Sequence, residues 1–306
     1  MPYDIAVNIT DPQYQGEYGQ KKKHACDIPA VIERGKRAGV RMVFLGISVK
    51  SSAESVALAN EYGEYCTVGI HPGSTKGAQD ADVRSLVDIL ANQSIQSLRS
   101  LVGESILGLV AEKSLFSINS VIGIGEVGLD YHRDYSPREK QREIFSKILK
   151  ETAIYKLPYV FHYRDCEEDF FDIVGQHSVE GVVHSYTGSI EEMRRLVRCG
   201  YYIGVNGASI RENEDTRVIE EIPLHRLLIE TDAPWCSIRK TSAYYSCVGK
   251  YRTPSKKWSE HEGVKGRNEP ANLLEVIDVV SHIKGIPKEQ LIEATDRNFK
   301  ALFRID

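Results

Sequence analysis

The chain has 306 residues, 42% of them hydrophobic and 27% charged, with a formal net charge of −4. This is an ordinary globular composition, long enough to remove roughly 75% of the unfolded surface from water and to build one large α/β barrel or two ordinary domains. The mildly acidic balance excludes a global field that would gather nucleic acid, so any polyanion site must be local.

Eight strand candidates alternate with helical patterns. The first is Asp4–Thr10, followed by a helical stripe at Ile28, Val31 and Ile32, with Asp27 as its N-cap and Gly39 just past its end. Arg41–Ser48 and Tyr65–His71 are the second and third. Residues 72–119 then form an elaborated connection with a helical face at Val83, Leu86, Val87 and Leu90. Val121–Gly128 is the fourth strand, and Ser136-Pro137-Arg138-Glu139 after it reads as a capping box opening a helix with Phe145, Ile148 and Leu149 on its apolar face. Tyr159–Tyr163 and Gly181–Ser185 follow, then a second capping box at Ser189 and Glu192, a face at Met193, Leu196 and Val197, and Gly200 as its stop. Tyr201–Asn206 and Leu227–Asp232 complete the set. Strand–helix alternation repeated eight times predicts a single (β/α)8 TIM barrel over residues 1–306, with a doubly wound open sheet as the alternative.

The apolar runs end on chemistry. Glu126, His162, His184 and Asp232 each follow such a run, and ligands in parallel sheets bind beyond the carboxyl ends of the strands. Carboxylate oxygens with neutral imidazoles suit Zn, Mn or Fe, and a carboxylate-rich site also accepts Mg. A lone histidine at a strand end is usually a hydrogen-bonded core or loop residue; four such groups at four strand ends are harder to explain by packing. Arg164 lies two residues past His162 and faces the same way, which suits a phosphate; an ion pair with Asp130 or Asp165 is the plainer reading. His71, Asn8, Thr10 and Asn206 end other strands as supporting polar groups or loop hydrogen-bonders.

Residues 235–268 form a long connection after the last strand. It holds both tryptophans and eight basic residues against two acidic ones, a formal charge of +6. Arg239, Lys240, Lys250, Arg252, Lys256, Lys257 and Trp258 lie here, and basic residues interleaved with aromatics suit phosphate contact and base stacking. The alternative is a solvated loop with tyrosines packed beneath it. Gly123-Ile124-Gly125-Glu126-Val127-Gly128 matches a dinucleotide fingerprint, but Glu126 would repel a pyrophosphate and no helix start follows at once. The six cysteines form no C-x-x-C pair, which argues against a zinc ribbon. The sequence begins without a basic-then-apolar signal and has no run of about 18 apolar residues, so the expectation is a cytoplasmic or nuclear protein without membrane association.

Gly123 to Asp130, the pair His162 and Arg164, Val183-His184-Ser185, Glu230-Thr231-Asp232-Ala233-Pro234-Trp235 and Arg267-Asn268-Glu269-Pro270 together resemble the TatD-related deoxyribonuclease family, in its eukaryotic branch, from about Asp4 to about Phe303. The resemblance implies a metal-dependent hydrolase on a TIM barrel that cleaves DNA phosphodiesters, as a 3′–5′ exonuclease or an abasic-site endonuclease on single-stranded or damaged DNA. It carries Glu126, His162, His184 and Asp232 over as metal ligands and places His71 and Arg164 near the substrate phosphate. Asn8-Ile9-Thr10 departs from the His-x-His pair that many members have. One firmly held Mg²⁺ or Mn²⁺ is therefore expected, with Zn²⁺ as a crystallographic substitute and a second ion weakly held. No obligate protein partner is inferred.

The expected reaction is metal-assisted phosphodiester hydrolysis, with Asp232 orienting and deprotonating the attacking water and Glu126 holding the ion. Two rivals stand beside it. One is hydrolysis of amides or lactones on the same barrel. The other is a degenerate barrel that binds nucleic acid or protein without catalysis.

Overall fold

The computed structural model describes residues 1–91, 99–111, 120–133, 135–210, 216–251, 255, 258–259 and 262–306. Its eight main strands are β1 (Tyr3–Val7), β2 (Arg41–Phe44), β3 (Tyr65–Val68), β4 (Val121–Asp130), β5 (Tyr159–Arg164), β6 (Gly181–Val183), β7 (Tyr202–Val205) and β8 (Leu227–Ile229). They follow one another in chain order in one sheet with helices in the connections, the (β/α)8 arrangement expected from the sequence. Every expected strand is present, but six stop short. Asn8, His71, His184, Asn206 and Asp232 lie beyond the paired segments. These runs look longer in sequence because burial continues past the strands: Ile9, Leu45 and Ile70 are fully or almost fully buried outside any strand, and buried Ala233 makes an isolated bridge to Val7.

By contacts, the chain divides into two compact units, Phe44–His184 and the pair of segments Met1–Val43 and Ser185–Asp306. In the first, α2 (Val49–Tyr62) opens on a capping box between Ser48 and Ser51 and closes on Gly63 in the left-handed region. The connection after β3 contains a 3-10 turn (Pro72–Gly77), α3 (Asp80–Ala91) and α4 (Glu104–Leu107). Then come α5 (Arg138–Thr152) and α6 (Glu167–Val174). The apolar face expected on α5 is buried at Phe145, Ile148 and Leu149. Phe145 meets Phe161 of β5 edge-on at 6.0 Å and stacks with Phe170 of α6 at 5.9 Å. Each such buried ring contributes about 1.5–3 kcal/mol.

Ser136 corrects one expectation. Pro137 takes the N-cap position of α5, without a side-chain cap bond. The Ser136 hydroxyl instead accepts from the Lys76 amide at 2.9 Å and donates to Gly73 O at 3.1 Å. A capping serine and a loop-tying serine look alike in sequence, because both use the same hydroxyl on nearby backbone.

In the second unit, α1 (Ile28–Arg37) buries the predicted stripe, and Gly39 is left-handed just past its end. Its N-cap residue Asp27 makes no cap bond, because its carboxylate is used elsewhere. The capping box at Ser189 and Glu192 opens α7 (Ile190–Arg198) as expected, and α8 (Thr216–Glu221), α9 (Leu273–Lys284) and α10 (Lys288–Phe303) follow. Tyr3 of β1 stacks on Phe299 of α10 at 3.8 Å, and Asn298 holds Leu224 O and Leu227 O at the start of β8.

Candidate metal centre

Glu126 lies inside β4, not at its end. In the pairing with β5, Gly125 faces Val160 and Val127 faces Phe161, so Glu126 is the extra residue of a bulge. A bulge leaves its extra residue out of the ladder and re-aims its side chain. The Glu126 amide, released from that ladder, donates to Gly46 O at 2.7 Å. The peptide bond before Glu126 is cis. The glycines around it are set by backbone contact: Gly128 has φ 142°, and a Cβ there would lie 2.0 Å from His162 O. They fit β4 against its neighbour. The strand runs through the whole fingerprint to Asp130, and the next helix begins at Arg138, as the rejection of dinucleotide binding requires.

Three imidazoles converge on one oxygen of this buried carboxylate. Glu126 Oε1 is 2.6 Å from His162 Nδ1, 2.7 Å from His184 Nε2 and 3.4 Å from His71 Nε2. Burial by itself would raise the Glu126 pKa, but the neighbouring histidines outweigh it and hold the carboxyl well below its ordinary range. His162 has a second carboxylate on its other ring nitrogen, with Nε2 3.1 Å from Asp130 Oδ2. Burial opposes its charging, yet Asp130 and Glu126 together raise its pKa. His71 differs. Its Nδ1 accepts from the Gly73 amide at 2.9 Å, so the neutral ring carries its proton on Nε2, directed at Glu126. Burial lowers its pKa to about 4, which keeps it neutral at physiological pH.

The donor set fits a divalent ion. His71, Glu126 and His162 each offer a ligand atom, all within 4.8 Å of one another, and His184 Nε2 meets the same Glu126 oxygen. One carboxylate with imidazoles is borderline-hard N/O chemistry suited to Zn, Mn or Fe. The tautomer separates His71 from the rest. While Nδ1 accepts from Gly73, Nε2 is a donor, which suits an anion better than a cation.

Asp130, raised from the sequence only as a partner for Arg164, is a neighbour of the site through His162. It binds His162 and also accepts from the His132 and Arg133 amides, both at 3.0 Å. The signal was available as the four-residue spacing from Glu126, but only the bulge shows which way the strand turns between them. Asp165, the other acid weighed as an Arg164 partner, lies 3.0 Å from His132 Nδ1. Arg164 closes β5 and, like His162, is only partly exposed, while Tyr163 between them is buried.

In the other unit, Asp232 follows β8 with φ 52°. One of its oxygens accepts from Asn8 Nδ2 at 2.8 Å and the other from Cys236 Sγ at 3.2 Å. Asn8 thus orients a carboxylate. Thr10 is buried nearby in the chain, and its carbonyl accepts from Gln15 Nε2 at 3.3 Å. Asn206 donates to Glu230 Oε1 and Ser185 Oγ, both at 2.9 Å, and Glu230 Oε1 also receives the Ser185 amide at 2.8 Å. Asn268 ties the loop around Asp232, donating to Thr231 O at 3.0 Å and Trp235 O at 2.7 Å.

The long basic connection is only partly available to a polyanion. Arg239, Lys240 and Lys250 are exposed; Arg252, Lys256 and Lys257 lie outside the described residues. Arg267, counted in its positive charge, is 1% exposed and bound to Asp27 at 2.9 and 2.7 Å and to Glu269 at 3.0 Å. Its charge is neutralised inside the fold. Two tyrosines serve as tethers, Tyr251 on Asp278 at 2.6 Å and Tyr244 on Thr216 at 3.2 Å.

A family model described as TatD related DNase matches residues 3–304. The chain belongs to this family. It is 37% identical to the deoxyribonuclease Tat-D of Schizosaccharomyces pombe, over 95% of this chain and 92% of that protein. It is 29% identical to the 3′-5′ ssDNA/RNA exonuclease TatD of Shigella flexneri, over 99% of each. Among solved structures, a TatD-family hydrolase from Entamoeba histolytica superposes with a TM-score of 0.85 at 28% identity, over 100% of this chain and 98% of that one. This TatD-family chain is an ester-bond hydrolase, and the reading as a non-catalytic barrel falls away.

Proposed function

We propose that this TatD-family hydrolase cleaves DNA phosphodiester bonds with a divalent ion, as a 3′–5′ exonuclease on single strands. The observation that carries the reading is the convergence of His162 and His184 on one buried Glu126 oxygen, at 2.6 and 2.7 Å. The names of the fission-yeast and Shigella relatives support the substrate and the polarity. Glu126, His162 and His184 would hold the ion, with Asp232 as the fourth ligand. Mg²⁺ or Mn²⁺ is the proposed metal. When bound, it would polarise the phosphoryl group and lower the pKa of the attacking water.

The chain's own groups supply the rest. Asp232, with one oxygen fixed by Asn8, orients the water and accepts its proton. Asp130 fixes the His162 ring from behind. His71, neutral and protonated on Nε2, donates to a phosphoryl oxygen, and Arg164 clamps the phosphate by its guanidinium. Exposed Arg239, Lys240 and Lys250 contact the strand backbone. Cleavage at abasic sites and a cytosolic or nuclear location belong to the same proposal.

The test is cleavage of end-labelled single-stranded, double-stranded and abasic DNA with Mg²⁺, Mn²⁺ or Zn²⁺. A ladder shortening from the 3′ end is expected, and Asp232→Asn should slow it about 10²–10⁴-fold. Wild-type cleavage by that variant, or turnover of cyclic amides without any cleavage of DNA, would sink the assignment.

A further inference from the structure

A groove of about 680 Å³ lies wholly within the unit formed by Met1–Val43 and Ser185–Asp306, lined by Tyr18, Lys23, His24, Trp258, Val264 and Lys265, among others. Its volume falls in the range of about 300–1,000 Å³ typical of small-ligand clefts. One wall is the segment after β1, where a short hairpin pairs Glu17–Tyr18 with Lys21–Lys22. The other carries Trp258 and Lys265 from the long connection after β8. The sequence flagged only that second segment.

Three aromatic rings and two ammonium groups meet in this groove. The His24 and Trp258 rings lie parallel within 8°, with centroids 5.6 Å apart, and Tyr18 packs edge-on to His24, also at 5.6 Å. The Lys23 ammonium sits 4.8 Å above the Tyr18 ring, and Lys23 and Lys265 are both exposed. The rings are held from beneath. Trp258 Nε1 donates to Asp27 Oδ2 at 3.0 Å, and the Lys23 amide donates to Gly16 O at 2.8 Å. Gly16 has φ 83°, and a Cβ there would lie 2.0 Å from His24 O, so this loop is closely fitted. Trp258 still keeps 38% of its surface exposed. The acids nearby do not cancel the lysines: Asp27 is bound by the buried Arg267, and Glu17 lies 3.7 Å from Lys22.

We propose that this groove is a binding subsite for single-stranded nucleic acid, in which one or two bases stack on the His24–Trp258 rings while Lys23 and Lys265 hold the flanking phosphates. Parallel rings beside exposed lysines suit a base next to its phosphate, and every base has a face to stack, so the subsite is sequence-tolerant. The inference rests on the nuclease reading and adds a place where the strand is gripped by its bases.

The experiment uses the full chain in EDTA and a fluorescein-labelled ten-nucleotide oligothymidylate, followed by anisotropy. Lys23→Glu with Lys265→Glu should raise the dissociation constant about tenfold or more and flatten its salt dependence. Both side chains are exposed, and an unchanged thermal melt will confirm that the variant folds. In a Trp235→Phe background, saturating oligonucleotide should quench the Trp258 emission. Unchanged affinity in the double variant, or unmoved Trp258 emission, overturns the proposal, as does displacement of the strand by decaglutamate as readily as by unlabelled oligonucleotide. Cleavage with Mg²⁺ or Mn²⁺ is scored separately. Binding here without cleavage refutes the nuclease reading alone, whereas cleavage with wild-type binding by the double variant refutes the groove alone.

Discussion

Arg267 offers a severe single perturbation outside the candidate metal site. Two guanidinium groups and two carboxylates form one network. Arg267 binds Asp27 and Glu269, Arg34 binds Glu269 at 2.8 and 3.0 Å, and Arg34 lies 3.9 Å from Asp27. Arg267→Met keeps most of the side-chain volume, so little cavity cost is added, but it leaves two carboxylates facing one cation. Among the described residues, Asp27 would keep only the Trp258 indole and the distant Arg34. Breaking a buried pair by removing one partner costs about 3–5 kcal/mol, much of it the penalty of the charge left behind. At about 2–4 °C per kcal/mol for a chain this large, the melting temperature should fall by roughly 6–20 °C. Calorimetry of Arg267→Met, Asp27→Asn and the double variant measures both the loss and the coupling. The double variant should recover roughly 1–3 kcal/mol relative to additivity, because the charge stranded by the first change is removed by the second. A single-variant loss below about 1 kcal/mol, or additive effects, would refute the account of Arg267 as the partner that neutralises Asp27.

Glu126→Gln replaces an anionic candidate ligand by a neutral amide, so Mn²⁺ affinity measured by calorimetry should drop by at least the roughly 10–100-fold typical of losing a supporting partner; wild-type affinity would contradict the donor set. Asp130→Asn should weaken ion binding about 10–100-fold with little change in fold, because only the support of the His162 ring is altered; an unchanged affinity would deny Asp130 that role. The raised His162 pKa implies a ring that is protonated below that pKa in the ion-free protein, so affinity should fall as pH drops through it and uptake should release protons; titrations in buffers of different ionisation enthalpy will show it, and a flat profile counts against it. Ser136→Ala breaks both bonds to the 72–77 turn and should lower the denaturant midpoint by the equivalent of about 1–3 kcal/mol at unchanged slope, whereas a merely solvent-facing serine would show no change.

Much of this architecture is written in the apolar runs. All eight strands are found where the runs fall, and the helix faces at Ile28, Phe145 and Met193 are buried as their spacing demands. What the runs do not encode is where pairing ends. Ile70 is as apolar and buried as a strand residue, so His71 reads as a strand end although it lies three residues past the ladder. Hydroxyl and carboxylate partners were equally ambiguous. Ser136 ties a turn instead of capping α5, and Asp27 serves Arg267 instead of capping α1, because sequence shows the donor but not which group across the fold comes within reach. Arg267 misled for the same reason: it counts as surface charge until Asp27, distant in sequence, is seen to neutralise it.

The three histidines around Glu126 make the same argument in chemical terms. As letters they are equal, each near the end of an apolar run. The fold makes them different by choosing the partner of the other ring nitrogen. His71 has a backbone amide donating to its Nδ1, which fixes a neutral ring with a proton to give. His162 has Asp130 on one nitrogen and Glu126 on the other, so a proton and a divalent ion would compete for it, and the carboxylates would favour either positive charge. His184 is almost fully buried and turns Nε2 to the same Glu126 oxygen as His162. A carboxylate oxygen that draws two imidazole N–H groups to hydrogen-bond distance is where a divalent cation would be held, since its negative charge sits beside two nitrogens that become ligands once their protons leave. In the proposed reaction substrate contact would then fall to His71, whose Nδ1 is committed to the Gly73 amide, and that division of labour would follow from hydrogen bonds, not from residue type.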